Sequence, residues 1–146
     1  MCIIQIDCQV IGCSTDSHFT HREFALKPRD QGGLAPLSIP LLADVTHNIG
    51  KSYGVLVTNP EDPLNGLALR GTFIIDDKGV LRHSQINDAS VGRNVDETLR
   101  ILKGFQYSDK HGEVCPAKWD TGKATIAPGS AEKVSEYWKK EHAAKH

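Results

Sequence analysis

One cysteine stands apart from the others and carries the clearest chemical signal in the chain. Cys115 lies in the segment HGEVCP over 111–116, after a stretch that reads as a long helix ending near 105–107. Glycine before the cysteine and proline after it disfavour both a helix and a central strand, so we expect an exposed, mobile segment. An exposed thiol is a poor core residue and a good redox partner. The segment therefore predicts thiol–disulfide chemistry at Cys115, with a functionless surface thiol as the alternative.

The remaining cysteines and the histidines show no spacing typical of a metal site. Cys2, Cys8 and Cys13 form no C-x-x-C pair, the spacing used by metal sites and thioredoxin-type redox couples. Cys8 and Cys13 fall in an apolar run, so we expect both thiols to be buried and inert. His18 and His21 lie near a helix start, where a packing or solvent-facing pair is commoner than a ligand pair. We expect neither a metal nor another cofactor.

Two arginines admit both a functional and a structural interpretation. Arg70 lies in an apolar strand, where its guanidinium either serves a site or pairs with an acidic neighbour. Arg93 directly precedes Asn94, a helix-capping residue, and on spacing alone reads as a solvated residue at a helix start. From the residue pattern both interpretations stay open.

Alternating strands and helices would position these residues. The apolar, β-branched stretch over 3–13 predicts a buried strand of a parallel or mixed sheet. Pro28 limits the first helix, because the residue before a proline disfavours the α conformation. Further strands are predicted over 41–44, 67–76 and 80–86, with a surface loop over 58–66 and a turn over 77–79. Helices are predicted over 18–26, 49–53 and 95–107, and from Ser130 onward. The pattern predicts the α/β class, with a domain over 1–110 and a C-terminal arm over 111–146.

Several motifs in this order resemble the typical two-cysteine peroxiredoxins, which are thioredoxin-dependent peroxidases with a thioredoxin-like fold. The motifs are DSHFTH (16–21), IPLLAD (39–44), RGTFIID (70–76), VGRNVDE (91–97) and GEVCP (112–116). The resemblance extends from about Asp7 to the C-terminus, which is nearly the whole chain. It implies a thioredoxin-like α/β fold with a C-terminal helical arm.

The resemblance also implies a role for each of three residues. Arg70 matches the active-site arginine that contacts thiolate and peroxide, and Arg93 matches a second arginine bordering that pocket. Cys115 matches the resolving cysteine, which forms a disulfide with the attacking cysteine of a partner subunit before thioredoxin reduces it. The implied partners are peroxide, thioredoxin and a second copy in an obligate dimer, often within a ring of five dimers.

The family's attacking, or peroxidatic, cysteine has no counterpart in this sequence. In the family it lies in a Pro-x-x-x-Thr/Ser-x-x-Cys motif that precedes the strand predicted here over 3–13. Cys8, Cys13 and Cys115 have Gln5, Val10 and Gly112 three positions earlier, and Cys2 has too little chain before it. We therefore expect an N-terminally incomplete thioredoxin-like domain that is inactive alone and marginally stable, because a central strand would also be missing.

Two alternatives to this interpretation remain. The chain could be a non-catalytic module that docks on intact peroxiredoxin or acts as a holdase through exposed apolar surface. Alternatively, Cys2 or Cys13 could replace the attacking cysteine, although neither has the Thr/Ser and Pro partners of the motif.

Charge and hydropathy give no reason to expect a nucleic acid or a membrane as partner. Lys and Arg number 17 against 18 Asp and Glu, and the charges are dispersed. No apolar run approaches the length of a membrane span, and no secretory, retention or peroxisomal signal is recognised. We expect a cytoplasmic, reducing location.

Overall fold

The chain contains both strands and helices, interspersed along the sequence, which confirms the predicted α/β class. The computed structural model describes residues 6–143, and it divides into two units between Arg93 and Asn94. The strands are β1 (Gly12–Ser14), β2 (Leu41–Ala43), β3 (Arg70–Ile75) and β4 (Leu81–Asn87). The helices are α1 (His18–Leu26), α2 (Asn48–Ser52), α3 (Val95–His111) and α4 (Ala131–Ala143), with a 3₁₀ turn at Arg29–Gln31. The arm predicted over 111–146 begins inside α3 and belongs to the second unit.

The first unit holds two separate two-stranded sheets within its described residues. β1 pairs with β2 in parallel, with Gly12 opposite Leu41. β3 pairs with β4 antiparallel, with Arg70 opposite Asn87 and a register irregularity between Ile74 and Ile75. The hairpin turn forms as predicted because the Asp76 carboxylate accepts hydrogen bonds from the amides of Lys78 at 3.0 Å and Val80 at 2.9 Å.

The strand predicted over 3–13 is wrong in extent. Residues 1–5 lie outside the described part of the chain, and only Gly12–Ser14 form a strand. A strand extends only as far as a partner supplies hydrogen bonds, and β2 offers three residues. Asp7 also adopts a φ of 51°, in the left-handed region, which interrupts extended backbone.

Local capping sets the two helices of the first unit. Ser17 accepts a hydrogen bond from the Thr20 amide at 3.2 Å, and α1 ends before Pro28, so its bounds match the prediction. At the start of α2, the buried Asp44 carboxylate accepts from the amides of Ile49 at 3.1 Å and Gly50 at 2.7 Å. Burial opposes ionisation of Asp44, yet these amide donors hold its pKa below the ordinary value.

The second unit is built on the long helix α3. Asn94 caps it by accepting from the Glu97 amide at 3.1 Å, as predicted. The helix continues to His111 rather than ending at 105–107, because its stop is Gly112 in the left-handed conformation, φ 67°. Leu99, Leu102 and Trp119 form the buried part of this unit. Ser130 precedes α4, as predicted, and its hydroxyl accepts from the Lys133 amide at 3.3 Å.

Candidate active site

Arg70 lies at the first position of β3 and is exposed. Its Nε donates a hydrogen bond to the carbonyl oxygen of Ala89 at 3.1 Å. The antiparallel register explains this contact, because it places Arg70 opposite Asn87, close in sequence to Ala89. The bond anchors the guanidinium through Nε, and its two terminal nitrogens provide further donors suited to an anion.

Arg93 is held beside Arg70 by the backbone of β3. Its Nη1 donates to the carbonyl oxygen of Gly71, the residue after Arg70, at 3.3 Å. The segment leading to Arg93 is fixed in turn, because Asn87 Nδ2 donates to the Gly92 carbonyl at 2.8 Å. The structure therefore brings Arg70 and Arg93 to one end of the β3–β4 hairpin. Their assignment to a peroxide pocket stays a prediction.

Cys115 lies in the second unit, and its expected exposure is wrong. The thiol is half-buried, and Sγ donates to the carbonyl oxygen of Gly104 in α3 at 3.6 Å. Its segment is also held by a two-way backbone bridge, in which Val114 N lies 2.8 Å from the Ile126 oxygen and Ile126 N lies 2.9 Å from the Val114 oxygen. Burial raises the pKa of the Cys115 thiol, the Arg100 guanidinium opposes that rise, and the Glu113 carboxylate adds to it.

The other described cysteines differ from expectation in exposure. Cys8 is half-buried and Cys13 is exposed, so the expectation that both are buried is wrong. Successive residues of a strand point to opposite faces. Cys13 therefore lies on the exposed face of β1, whereas Gly12 and Ser14 lie on the half-buried face. Desolvation raises the pKa of both thiols, with smaller contributions from Asp7 at Cys8 and Asp44 at Cys13. Neither thiol has the lowered pKa of an attacking cysteine. Cys2 lies outside the described residues.

The two histidines that the sequence singled out have different partners. The His18 ring lies against Phe19, with ring centroids 4.0 Å apart. His21 Nε2 lies 2.7 Å from the Ser14 hydroxyl oxygen. Across residues 6–143, no group of His, Cys, Asp and Glu side chains has the geometry of a metal site.

Sequence reasoning missed the side chains that hold the Cys115 segment in place. The Glu113 carboxylate accepts hydrogen bonds from the hydroxyls of Tyr107, at 3.3 Å, and Thr125. The Thr125 bond in particular lowers the Glu113 pKa, against the opposing effect of burial, and Tyr107, His111 and Lys133 lower it further. No motif links these positions; the only available signal was that Glu113 and Cys115 share one motif.

Comparison with known proteins decides the family. Residues 3–84 match the AhpC/TSA family. The chain belongs to this family. Residues 104–140, which include Cys115, additionally match the C-terminal domain of 1-Cys peroxiredoxin. The predicted membership among the peroxiredoxins is confirmed.

The similar proteins are peroxiredoxins in sequence and in structure. Human peroxiredoxin-4 is 57% identical over 129 residues, which cover 88% of this chain and 46% of that protein. Peroxiredoxin-2 of Macaca fascicularis is 52% identical over 136 residues, covering 93% of this chain and 66% of the relative. The reduced 2-Cys peroxiredoxin of Plasmodium vivax superposes with a TM-score of 0.80 at 37% identity, covering 90% of this chain and 64% of that one.

These comparisons confirm the thioredoxin-like peroxiredoxin fold for this member of the AhpC/TSA family. The chain spans about half the length of the peroxiredoxin-4 relatives. Within the described residues, no helix is long and apolar enough to cross a membrane.

Proposed function

We propose that the chain takes part in thiol-dependent peroxide reduction, with Cys115 as the resolving thiol and Arg70 and Arg93 as the cationic side of the peroxide pocket. The observation that carries the proposal is a pair of bonds, from Arg93 Nη1 to the Gly71 carbonyl and from Arg70 Nε to the Ala89 carbonyl, which hold two guanidinium groups at one end of one hairpin. Membership of the AhpC/TSA family supports it.

The arginine pair suits the first chemical step. A thiolate attacks one peroxide oxygen, the O–O bond breaks, and hydroxide leaves with the bonding pair and takes up a proton to become water. Negative charge moves from sulfur to the leaving oxygen during this step. Guanidinium groups at one end of the hairpin stabilise both the thiolate and the developing oxyanion.

Cys115 suits the second step. Its thiolate attacks the sulfur of the sulfenic acid formed on the attacking cysteine, an S–S bond forms, and the sulfenic oxygen leaves as water after protonation. The dithiol of thioredoxin then reduces this disulfide by exchange and is itself oxidised. In this proposal the attacking cysteine belongs to a partner peroxiredoxin subunit, as the resemblance to the two-cysteine peroxiredoxins implies.

The assembly and location follow from the same proposal. The chain acts within a homodimer or a larger ring of dimers, with hydrogen peroxide or organic hydroperoxides as substrates. A cytoplasmic location suits Cys8, Cys13 and Cys115, which are free thiols in the structure.

Trapping of a mixed disulfide tests the proposal. The full chain is mixed with an intact peroxiredoxin whose only cysteine is its attacking one, and one equivalent of hydrogen peroxide is added. Non-reducing electrophoresis and peptide mass spectrometry should reveal a disulfide to Cys115 that Cys115→Ser abolishes and Cys13→Ser preserves. A disulfide through Cys13 instead, or none although dimedone detects the partner's sulfenic acid, would overturn the proposal.

A second candidate function, an interaction or holdase-type module, is favoured by one apolar surface. Tyr53, Ile75, Leu81 and Ile86 are exposed and line a concavity of about 330 Å³ against β3 and β4. Exposed apolar surface of this kind is typical of interaction sites. Leu81→Asp should then suppress holdase activity in an aggregation assay while leaving mixed-disulfide formation by Cys115 intact, which separates the two functions.

A further inference from the structure

The Cys115 segment is fastened to α3 by a carboxylate that binds two hydroxyl groups. Tyr107 Oη donates to Glu113 Oε2 at 3.3 Å, and Thr125 Oγ1 donates to the same oxygen. Glu113 and Thr125 lie on the two sides of the loop that carries Cys115, whereas Tyr107 lies on α3. We call these three side chains the Glu113 clasp. The clasp therefore joins both sides of the loop to the helix beneath it.

The loop closed by the clasp has a fixed interior. The backbone bridge between Val114 and Ile126 lies next to the clasp, because each bridge residue directly follows a clasp residue along the chain. Trp119 at the centre of the loop is 2% exposed, and its Nε1 donates to the Lys123 carbonyl at 3.1 Å. Arg100 of α3 donates from Nη1 to the Trp119 carbonyl at 3.1 Å. Cys115 is thus held between the clasp and a rigid centre, with its thiol on the Gly104 carbonyl.

We propose that the Glu113 clasp is a gate on the Cys115 thiol, closed while both hydroxyls bind the carboxylate and opened when these bonds break. Glu113 is a positioning residue in this proposal, since its bonds hold the loop rather than the sulfur. Opening releases the side chains packed beside Cys115 and lets the thiol rotate away from the Gly104 carbonyl, while the Val114–Ile126 bridge keeps the backbone in place. Its consequence for disulfide formation rests on the proposed function, whereas the gating of the thiol does not.

In the closed loop, electrostatics as well as geometry keep the Cys115 thiol unreactive. Burial and the Glu113 carboxylate both raise the Cys115 pKa, and only Arg100 opposes them. His111 and Lys133 lower the Glu113 pKa, which favours its charged, bond-accepting form. Opening therefore exposes the sulfur and increases its thiolate fraction, and both changes speed its reactions.

The rate of Cys115 alkylation in the full chain tests the gate. Iodoacetamide is added in excess at pH 8, and labelling of the Cys115 peptide is followed by mass spectrometry. Thr125→Val removes one clasp bond but keeps the Glu113 charge, and it should raise the rate up to about tenfold, the change in an opening equilibrium expected from the loss of one hydrogen bond. Thr125→Ser keeps a hydroxyl donor and should restore the wild-type rate. Glu132→Gln, an exposed glutamate of α4, should leave the rate unchanged.

A general loss of structure is distinguished by the Trp119 amide, which donates to the Pro116 carbonyl at 3.0 Å. Its hydrogen exchange should stay at the wild-type rate in Thr125→Val if only the clasp opens. Alkylation at the wild-type rate, or alkylation that rises together with Trp119 exchange, would overturn the gate. Failure of mixed-disulfide trapping despite faster alkylation would instead refute the proposed function and leave the gate standing.

Discussion

Arg93 donates a hydrogen bond from Nη1 to the carbonyl oxygen of Gly71 at 3.3 Å. Arg70 precedes that glycine and is tied by Nε to the Ala89 carbonyl. The two bonds cross-connect the start of β3 and the segment after β4. Both guanidinium groups are therefore anchored to backbone oxygens that no side-chain substitution removes.

We expect this arginine pair to bind a small oxyanion. In a titration with sulfate at constant low ionic strength, the amide NMR signals of Gly71 and Ala89 should shift and saturate. Arg70→Ala and Arg93→Ala should each weaken binding about two- to fivefold, the range for an exposed charge pair, and added salt should weaken it further. Arg22→Ala, an exposed arginine of α1, is the matched control. An equal loss in that control would mean that the binding is nonspecific.

Trp119 should dominate the stability of the second unit. It is 2% exposed, whereas Trp138 on α4 is 48% exposed. Trp119→Ala leaves a cavity and should lower the free energy of unfolding by about 3–5 kcal/mol. Trp138→Ala should lower it by less than about 1 kcal/mol. Urea unfolding followed by far-UV circular dichroism measures both, and similar losses in the two variants would contradict the burial order.

Short-range signals predicted much of the fold. The bounds of α1 follow from Ser17 and Pro28, and the β3–β4 turn follows from Asp76 and Gly79, all within a few residues of the structure they determine. The strand predicted over 3–13 failed because its length depends on β2, which lies far along the chain and offers only three partners. The residues of one strand do not indicate how many residues a distant partner strand will pair with.

The same distinction between local and long-range determinants applies to the candidate site. The proximity of Arg70 and Arg93 was implied by family resemblance and not by spacing, which left a solvated Arg93 as the simpler interpretation. The burial of Cys115 depends on Gly104 in the preceding helix and on Ile126 across the loop. Glycine and proline near a cysteine correctly indicate a loop, but they do not indicate whether hydrogen bonds and burial hold that loop in place.

The Asn94 cap should contribute a separable part of α3 stability. Its side chain accepts from the Glu97 amide at 3.1 Å. Asn94→Ala should cost about 1 kcal/mol, while Asn94→Ser, which keeps a capping oxygen, should stay near the wild-type value. Urea unfolding midpoints compare the two substitutions. Equal losses would show that the cap itself does not matter and that another property of asparagine does.

The contribution of Glu113 to stability should depend on pH in a defined direction. Its pKa in the folded chain is lowered, chiefly by the Thr125 hydroxyl, from an ordinary value of 4.5. A group with a depressed folded pKa stabilises the fold fully above its unfolded pKa and loses that contribution as pH falls through the folded pKa. The difference in urea midpoint between the wild type and Glu113→Gln should therefore be constant near pH 7 and shrink below about 4.5. Glu132→Gln is the control for the loss of one exposed carboxylate charge. A difference that persists unchanged at pH 3 would mean that the amide disrupts packing and that the carboxylate charge is not what holds the clasp.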